Sequence, residues 1–170
     1  MKKYLKFAGA VAFVFALVAF ILLMATVGVY SKSGSLRVDF DGIVVLFGKT
    51  ESTILGNAKT ELAWTGLIAW ILNIVAMLIL CAGVVLPLLK VKALDKFAGV
   101  LNLVAVIALV AGGILLFFSA PAFAGANGVD GDNLKYYHLA AGWVVSGILA
   151  IVGGAVAILP AVVDFLGKKK

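Results

Sequence analysis

The sequence has little of the residue types that carry most enzyme chemistry. One cysteine, Cys81, and one histidine, His138, occur in 170 residues. A lone cysteine excludes an internal disulfide, a multi-cysteine metal site and the paired thiols of a quinone-linked oxidoreductase. A lone histidine excludes the two-histidine metalloprotease motif. Charged residues make up 13% of the chain, against about 25% in soluble domains. Hydrophobic residues make up 64%. A water-soluble fold of this size would have too little polar surface to cover them. A bilayer is the solvent that this composition suits.

Four apolar runs are present, over residues 7–29, 62–89, 97–118 and 139–163. Each reaches the length of about 20 residues that a membrane-spanning helix needs. The first follows Met1-Lys2-Lys3, which also opens signal peptides. A signal-peptide core has only about 7–15 residues, and no clear small-x-small cleavage site closes the run before Tyr30. The run is read as an uncleaved first helix. The expected fold is all-α: a single membrane domain over residues 1–170, built as a four-transmembrane-helix bundle, with a small extracellular β-hairpin in the first of two outer loops, 30–61 and 119–137.

The net charge of +6 matters for its placement. Nine lysines lie in three short segments: Lys2, Lys3 and Lys6; Lys90, Lys92 and Lys96; Lys168, Lys169 and Lys170. Only Asp95 and Asp164 oppose them there, and the remaining loops are nearly neutral. Such a distribution makes no nucleic-acid-binding face. Four spans put all three clusters on one side, which the positive-inside rule makes the cytoplasm. They would also attract anionic inner-leaflet lipid. Tyr30, Trp64, Tyr136, Tyr137 and Trp143 fall near the opposite boundary, as an aromatic belt would. Thr60-Glu61 is expected to cap the second helix, Asp95 the third and Asp132-Asn133 the fourth. Pro87 and Pro160 are expected to end or kink their helices.

The first outer loop is too long for a plain connection. Leu36, Val38 and Phe40 alternate with Arg37, Asp39 and Asp41, and Asp41-Gly42 precedes Ile43-Val44-Val45-Leu46-Phe47. Asp-Gly between two β-prone runs predicts a hairpin, with strands near 36–40 and 43–47. Its second strand is apolar on both faces and needs a cover, because an isolated hairpin is marginal in water. The second outer loop, rich in Gly, Ala and Asn, reads as flexible.

Lipid tails are as apolar as leucine, so spans associate through close packing of small residues. Gly142, Ser146, Ala150 and Gly154 form a ridge at four-residue spacing, widened by Gly147, Gly153 and Ala157. Ala8, Ala12 and Ala16 do the same on the first span, and Ala105, Ala108 and Gly112 serve the third. The ridge on the fourth span serves either packing within the bundle or a partner helix. Phe40, Val45, Phe47, Gly142, Ser146, Ala150 and Gly154 are therefore the candidate partner-binding residues.

The spans hold no Asp, Glu, Lys, Arg or His at mid-depth, which argues against an autonomous proton-coupled transporter. Their only mid-span amides are Asn73 and Asn102. With Ser146, they are the candidate lining of a pathway. Ser146-Gly147 resembles an intramembrane serine protease only superficially. His138 is eight residues away on the same run, about 12 Å along a helix, and a base must reach its nucleophile within about 3 Å. Asp130-Gly131-Asp132-Asn133 resembles a fragment of a calcium loop, but no glutamate follows at the required spacing. No catalytic residue, cofactor or metal is expected.

The layout resembles the claudin and peripheral-myelin tetraspan group over the whole chain: four helices, inside termini, a longer strand-bearing first outer loop and a shorter second one. Claudins carry a tryptophan-rich signature and two cysteines in that first loop. Residues 30–61 contain neither, so the resemblance implies the layout and no site residue. The expected function is a non-catalytic membrane scaffold or accessory subunit in a plasma membrane, presenting the outer hairpin and small-residue helix faces to a membrane-protein partner or a second copy. The alternative is a channel or transporter component that forms a pathway on oligomerisation. Lysine-rich ends and a cysteine-free loop suit a bacterial plasma membrane.

Overall fold

The computed structural model describes residues 2–53, 56–88 and 97–166. Four long helices dominate: α1 (Lys2–Ala25), α3 (Trp64–Leu88), α4 (Ala98–Phe117) and α6 (Ala141–Leu166). Each contains a segment long and apolar enough to cross a membrane: Phe7–Ala25, Trp64–Val85, Ala98–Phe117 and Ala141–Val162. By length and composition these four helices suggest a multi-pass membrane protein. The lysine-bearing link between α3 and α4, with Asp95, and the last four residues lie outside the described residues.

Neighbouring helices run antiparallel, and small residues set their separation. Gly153 faces the Ala12 carbonyl of α1, and Ser146 bonds the Ala19 carbonyl. Between α4 and α6 the approach is closer still. A Cβ at Gly113 would lie 2.8 Å from the Gly147 carbonyl oxygen, and one at Gly154 would lie 2.7 Å from Val110 Cγ2. Gly112 packs on the Ala69 carbonyl of α3. The bundle interior is correspondingly lined by Ala12, Ala16, Ala19, Ala76, Ala105, Ala108, Ala150 and Ala157, with Leu80 and Leu109 as its large side chains. Backbone approach of this kind is what drives association where water supplies no hydrophobic force.

A cap covers one end of the bundle. The chain leaves α1 at Ala25 and continues as β1 (Val27–Ser33), then β2 (Leu36–Asp41), α2 (Gly42–Phe47), β3 (Lys49–Thr53) and β4 (Gly56–Thr60). Between α4 and α6 lie α5 (Ser119–Ala126), a 3-10 turn (Gly131–Tyr136) and β5 (Tyr137–Leu139). β1 is the middle strand of an antiparallel sheet ordered β2-β1-β5, while β3 and β4 pair separately.

The predicted hairpin forms elsewhere. Leu36–Asp41 is a strand, but it pairs backwards with β1, with Ser33 opposite Leu36. The turn uses Gly34, at φ 61°, where a side chain would be strained. Residues 43–47 are helical. An Asp-Gly hairpin turn needs positive φ at both centres. Asp41 has φ −59° and Gly42 is not among the positive-φ glycines. A short run that is apolar on both faces does not distinguish a strand from a buried helical turn. Here the helix buries Val45 and Leu46 while Ile43 and Phe47 stay half-exposed.

Other boundaries move for related reasons. The first span ends at Ala25, not near residue 29, because Val27 and Val29 join the sheet. The second loop is not a plain flexible link: its alanine-rich start is helical, and Phe123 anchors it in the core. Asp132 and Asn133 belong to the 3-10 turn, and α6 starts only at Ala141. Likewise α3 begins at Trp64, beyond Thr60 and Glu61. Pro160 lies inside α6, which continues to Leu166, whereas the described part of α3 ends at Leu88, one residue after Pro87.

The tightest helix contact sets a prediction. Gly113→Val places methyl groups against the α6 backbone, which cannot move like a side chain. It should cost about 3 kcal/mol, the upper end for overpacking, read as a lowered unfolding midpoint in detergent. An unchanged midpoint would show that α4 and α6 are farther apart than described.

Candidate functional site

The best-defined site in the molecule is the junction between cap and bundle. Trp143, in the first turn of α6, is 0% exposed. Three glycines from three elements close on its indole. A Cβ would lie 2.9 Å from the ring at Gly28 of β1, 3.0 Å from Nε1 at Gly42 of α2, and 3.1 Å from the ring at Gly66 of α3. The indole Nε1 donates to the Leu23 carbonyl at 3.2 Å. That carbonyl lies in the last turn of α1, where the helix leaves its own acceptors without partners. Trp143 therefore belongs to the core and not to a boundary belt.

The backbone of the junction is equally accounted for. Gly42 N donates to the Thr26 carbonyl, and Ala63 N to the Val45 carbonyl, both at 2.8 Å. The Asn127 side chain joins the two cap segments. Its Oδ1 accepts from Glu61 N at 2.9 Å, and its Nδ2 donates to the Glu61 and Phe123 carbonyls at 3.1 and 2.8 Å. Sequence reasoning missed both Trp143 and Asn127 as anchors. The available signal for the first was Gly28 and Gly66, each close to a span boundary; Gly42, in the middle of the first outer loop, gave none.

The candidate partner-binding residues separate into two groups. Val45 is buried, and Phe40 packs on Phe123 and Tyr137 with ring centroids 4.9 and 6.4 Å away. Phe47 stays half-exposed and sets its edge on Trp70, which stacks on Phe20. Gly142, Ser146, Ala150 and Gly154 all face neighbours within the chain: Thr26, the Ala19 carbonyl, the alanine interior and Val110. Beyond Phe40, on the same face of β2, Leu36 and Val38 are 75% and 56% exposed. The opposite face carries Arg37, which pairs with Asp39 and lies over the Tyr30 ring, itself beside His138.

The candidate pathway residues lie at different heights. By helical rise, Ser146 is about 8 Å below the cap end of α6, and Asn73 about 14 Å below that of α3. Asn102 is about 6 Å from the opposite end of α4, beside Gly83. Ser146 Oγ donates to the Ala19 carbonyl at 2.8 Å. Asn73 differs. It is 3% exposed, and both its amide oxygen and nitrogen lack a hydrogen-bond partner, as does Trp70 Nε1 one turn away. Among the described residues, no three His, Cys, Asp or Glu side chains come together as a metal site. No protein-family model matches the chain, and no curated protein matches it in sequence.

Two outcomes follow from this geometry. Trp143→Ala should cost about 3–5 kcal/mol, the range for emptying a large buried site, and should raise amide exchange in β1 and α2 before the bundle opens. Exchange rising evenly through all elements would contradict a junction role. Asn73→Leu should stabilise the protein by roughly 1–3 kcal/mol, because it removes an unpaired buried amide of similar volume. A lowered unfolding midpoint would mean that Asn73 has a partner.

Proposed function

We propose that the protein is a non-catalytic scaffold or accessory subunit of the plasma membrane, with both ends in the cytoplasm and the cap outside. The lysine clusters support that orientation, because positively charged segments stay on the cytoplasmic side. One observation carries the scaffold reading: a firmly anchored cap ends in an uncovered apolar strip, Leu36 and Val38. β2 is also the edge of its sheet, so its free backbone groups add a second means of engaging a protein partner. The small-residue ridge of α6 is spent on α1 and α4, which moves the partner surface from the spans to the cap.

The alternative, a pathway formed on oligomerisation, draws on the unpartnered Asn73 amide. Flux through reconstituted native oligomers that changes in Asn73→Leu would favour it.

The scaffold reading is tested by purification from native membranes in mild detergent, with mass analysis of the intact complex. A stoichiometric second protein is expected. Replacing Leu36 and Val38 together with Ser should release it, with stability changed by no more than about 0.5 kcal/mol, as for other surface substitutions. A partner that stays bound to the double variant, or its absence from wild type, would sink the proposal.

A further inference from the structure

A groove of about 510 Å³ opens beside the end of α1. Met24 from α1 and Ile43 and Val44 from α2 supply apolar walls, while Thr26, Asp41 and Lys49 supply polar ones. The groove lies where the apolar segment Phe7–Ala25 stops, which is the depth at which lipid headgroups begin.

The surface below it is continuous with this boundary. Val14, Val18, Ile21 and Ala25 are all exposed, and their spacing places them on one face of α1. They form a strip that leads up the helix to the groove. An occupant with an apolar tail against α1 and a charged head between Asp41 and Lys49 would use the whole surface.

The charges select the head. Glu51 accepts a hydrogen bond from Lys49 and, with its own charge, holds that ammonium above the ordinary lysine pKa; Asp41 adds a smaller effect in the same direction. Lys49 stays cationic, and an ammonium has three donors, so it can serve a phosphate as well as Glu51. Asp41 is then left for a cation. Two carboxylates against one ammonium disfavour a lipid of net negative charge. We propose that this groove binds the headgroup of a zwitterionic phospholipid, its phosphate on Lys49 and its amine on Asp41. The inference rests on the reading that the four helices span a bilayer.

The test uses the full chain in nanodiscs of equal parts phosphatidylethanolamine and phosphatidylglycerol, after its resistance to carbonate extraction has been checked. Native mass spectrometry of the released protein should find phosphatidylethanolamine retained in preference. The double variant Asp41→Asn, Lys49→Gln should weaken that retention about fivefold, the scale of an exposed charge pair. Ile43→Trp should also displace the lipid, by filling the groove with both charges kept. Lys59→Gln, at the exposed pair with Glu61, should change nothing. Carbonate-extractable protein would overturn the membrane reading and this site together. Integral protein that prefers phosphatidylglycerol, retains neither lipid, or behaves alike in wild type and both groove variants would overturn the site alone.

Discussion

The last turn of α1 is the constraint on which the rest of the structure depends. A helix ending near hydrocarbon must satisfy its final carbonyls from within the protein, because the bilayer core offers no water. Here three parts of the chain share the task. Thr26 donates to the Leu22 carbonyl from both its backbone and its hydroxyl, at 3.2 and 2.6 Å. Trp143 Nε1 serves the Leu23 carbonyl, and Gly42 N serves that of Thr26. These bonds fix α6 and α2 against α1 and turn the chain into β1. The sheet, the short helix and the groove beside it are consequences of how α1 ends.

The same economy runs through the bundle. Alanine and glycine bring the helices close, so contact between backbones does the packing that large side chains do in soluble cores. The bulk is moved to the junction instead, where Trp143, Phe123, Leu23, Leu46 and Leu116 are fully buried. The cap is therefore not a loose loop over a bundle. It shares a continuous core with the ends of all four helices.

The spans were legible because each rests on one strong signal, a long apolar run. The cap was not, because each local signal in it had two readings. Asp41-Gly42 matches a hairpin turn, yet Gly42 is needed for its missing side chain: it lets α2 approach the α1 carbonyls and the indole. Val27 and Val29 extend the first apolar run, yet as β-branched residues they serve equally in a strand. Trp143 lies where a boundary tryptophan belongs, and only the three glycines packed on it mark it as buried. Asn127 is one asparagine in a loop rich in Gly, Ala and Asn, and its role depends on Glu61, 66 positions away. In each case a contact distant in sequence decides between local alternatives.

Ser146 and Asn73 show what such an interior does to polar side chains. Both are buried, in a region whose neighbours are mostly alanine and leucine. A hydroxyl has one proton to place, and Ser146 places it on the Ala19 carbonyl of the facing helix. An amide has two donor hydrogens and an acceptor oxygen. The surrounding alanines have no polar side-chain atoms, and the helical backbone around Asn73 already uses its groups in its own ladder. The tight packing that stabilises the bundle thus leaves Asn73 unpaired. Leucine would fill similar volume without that penalty, so packing alone does not account for asparagine at this position.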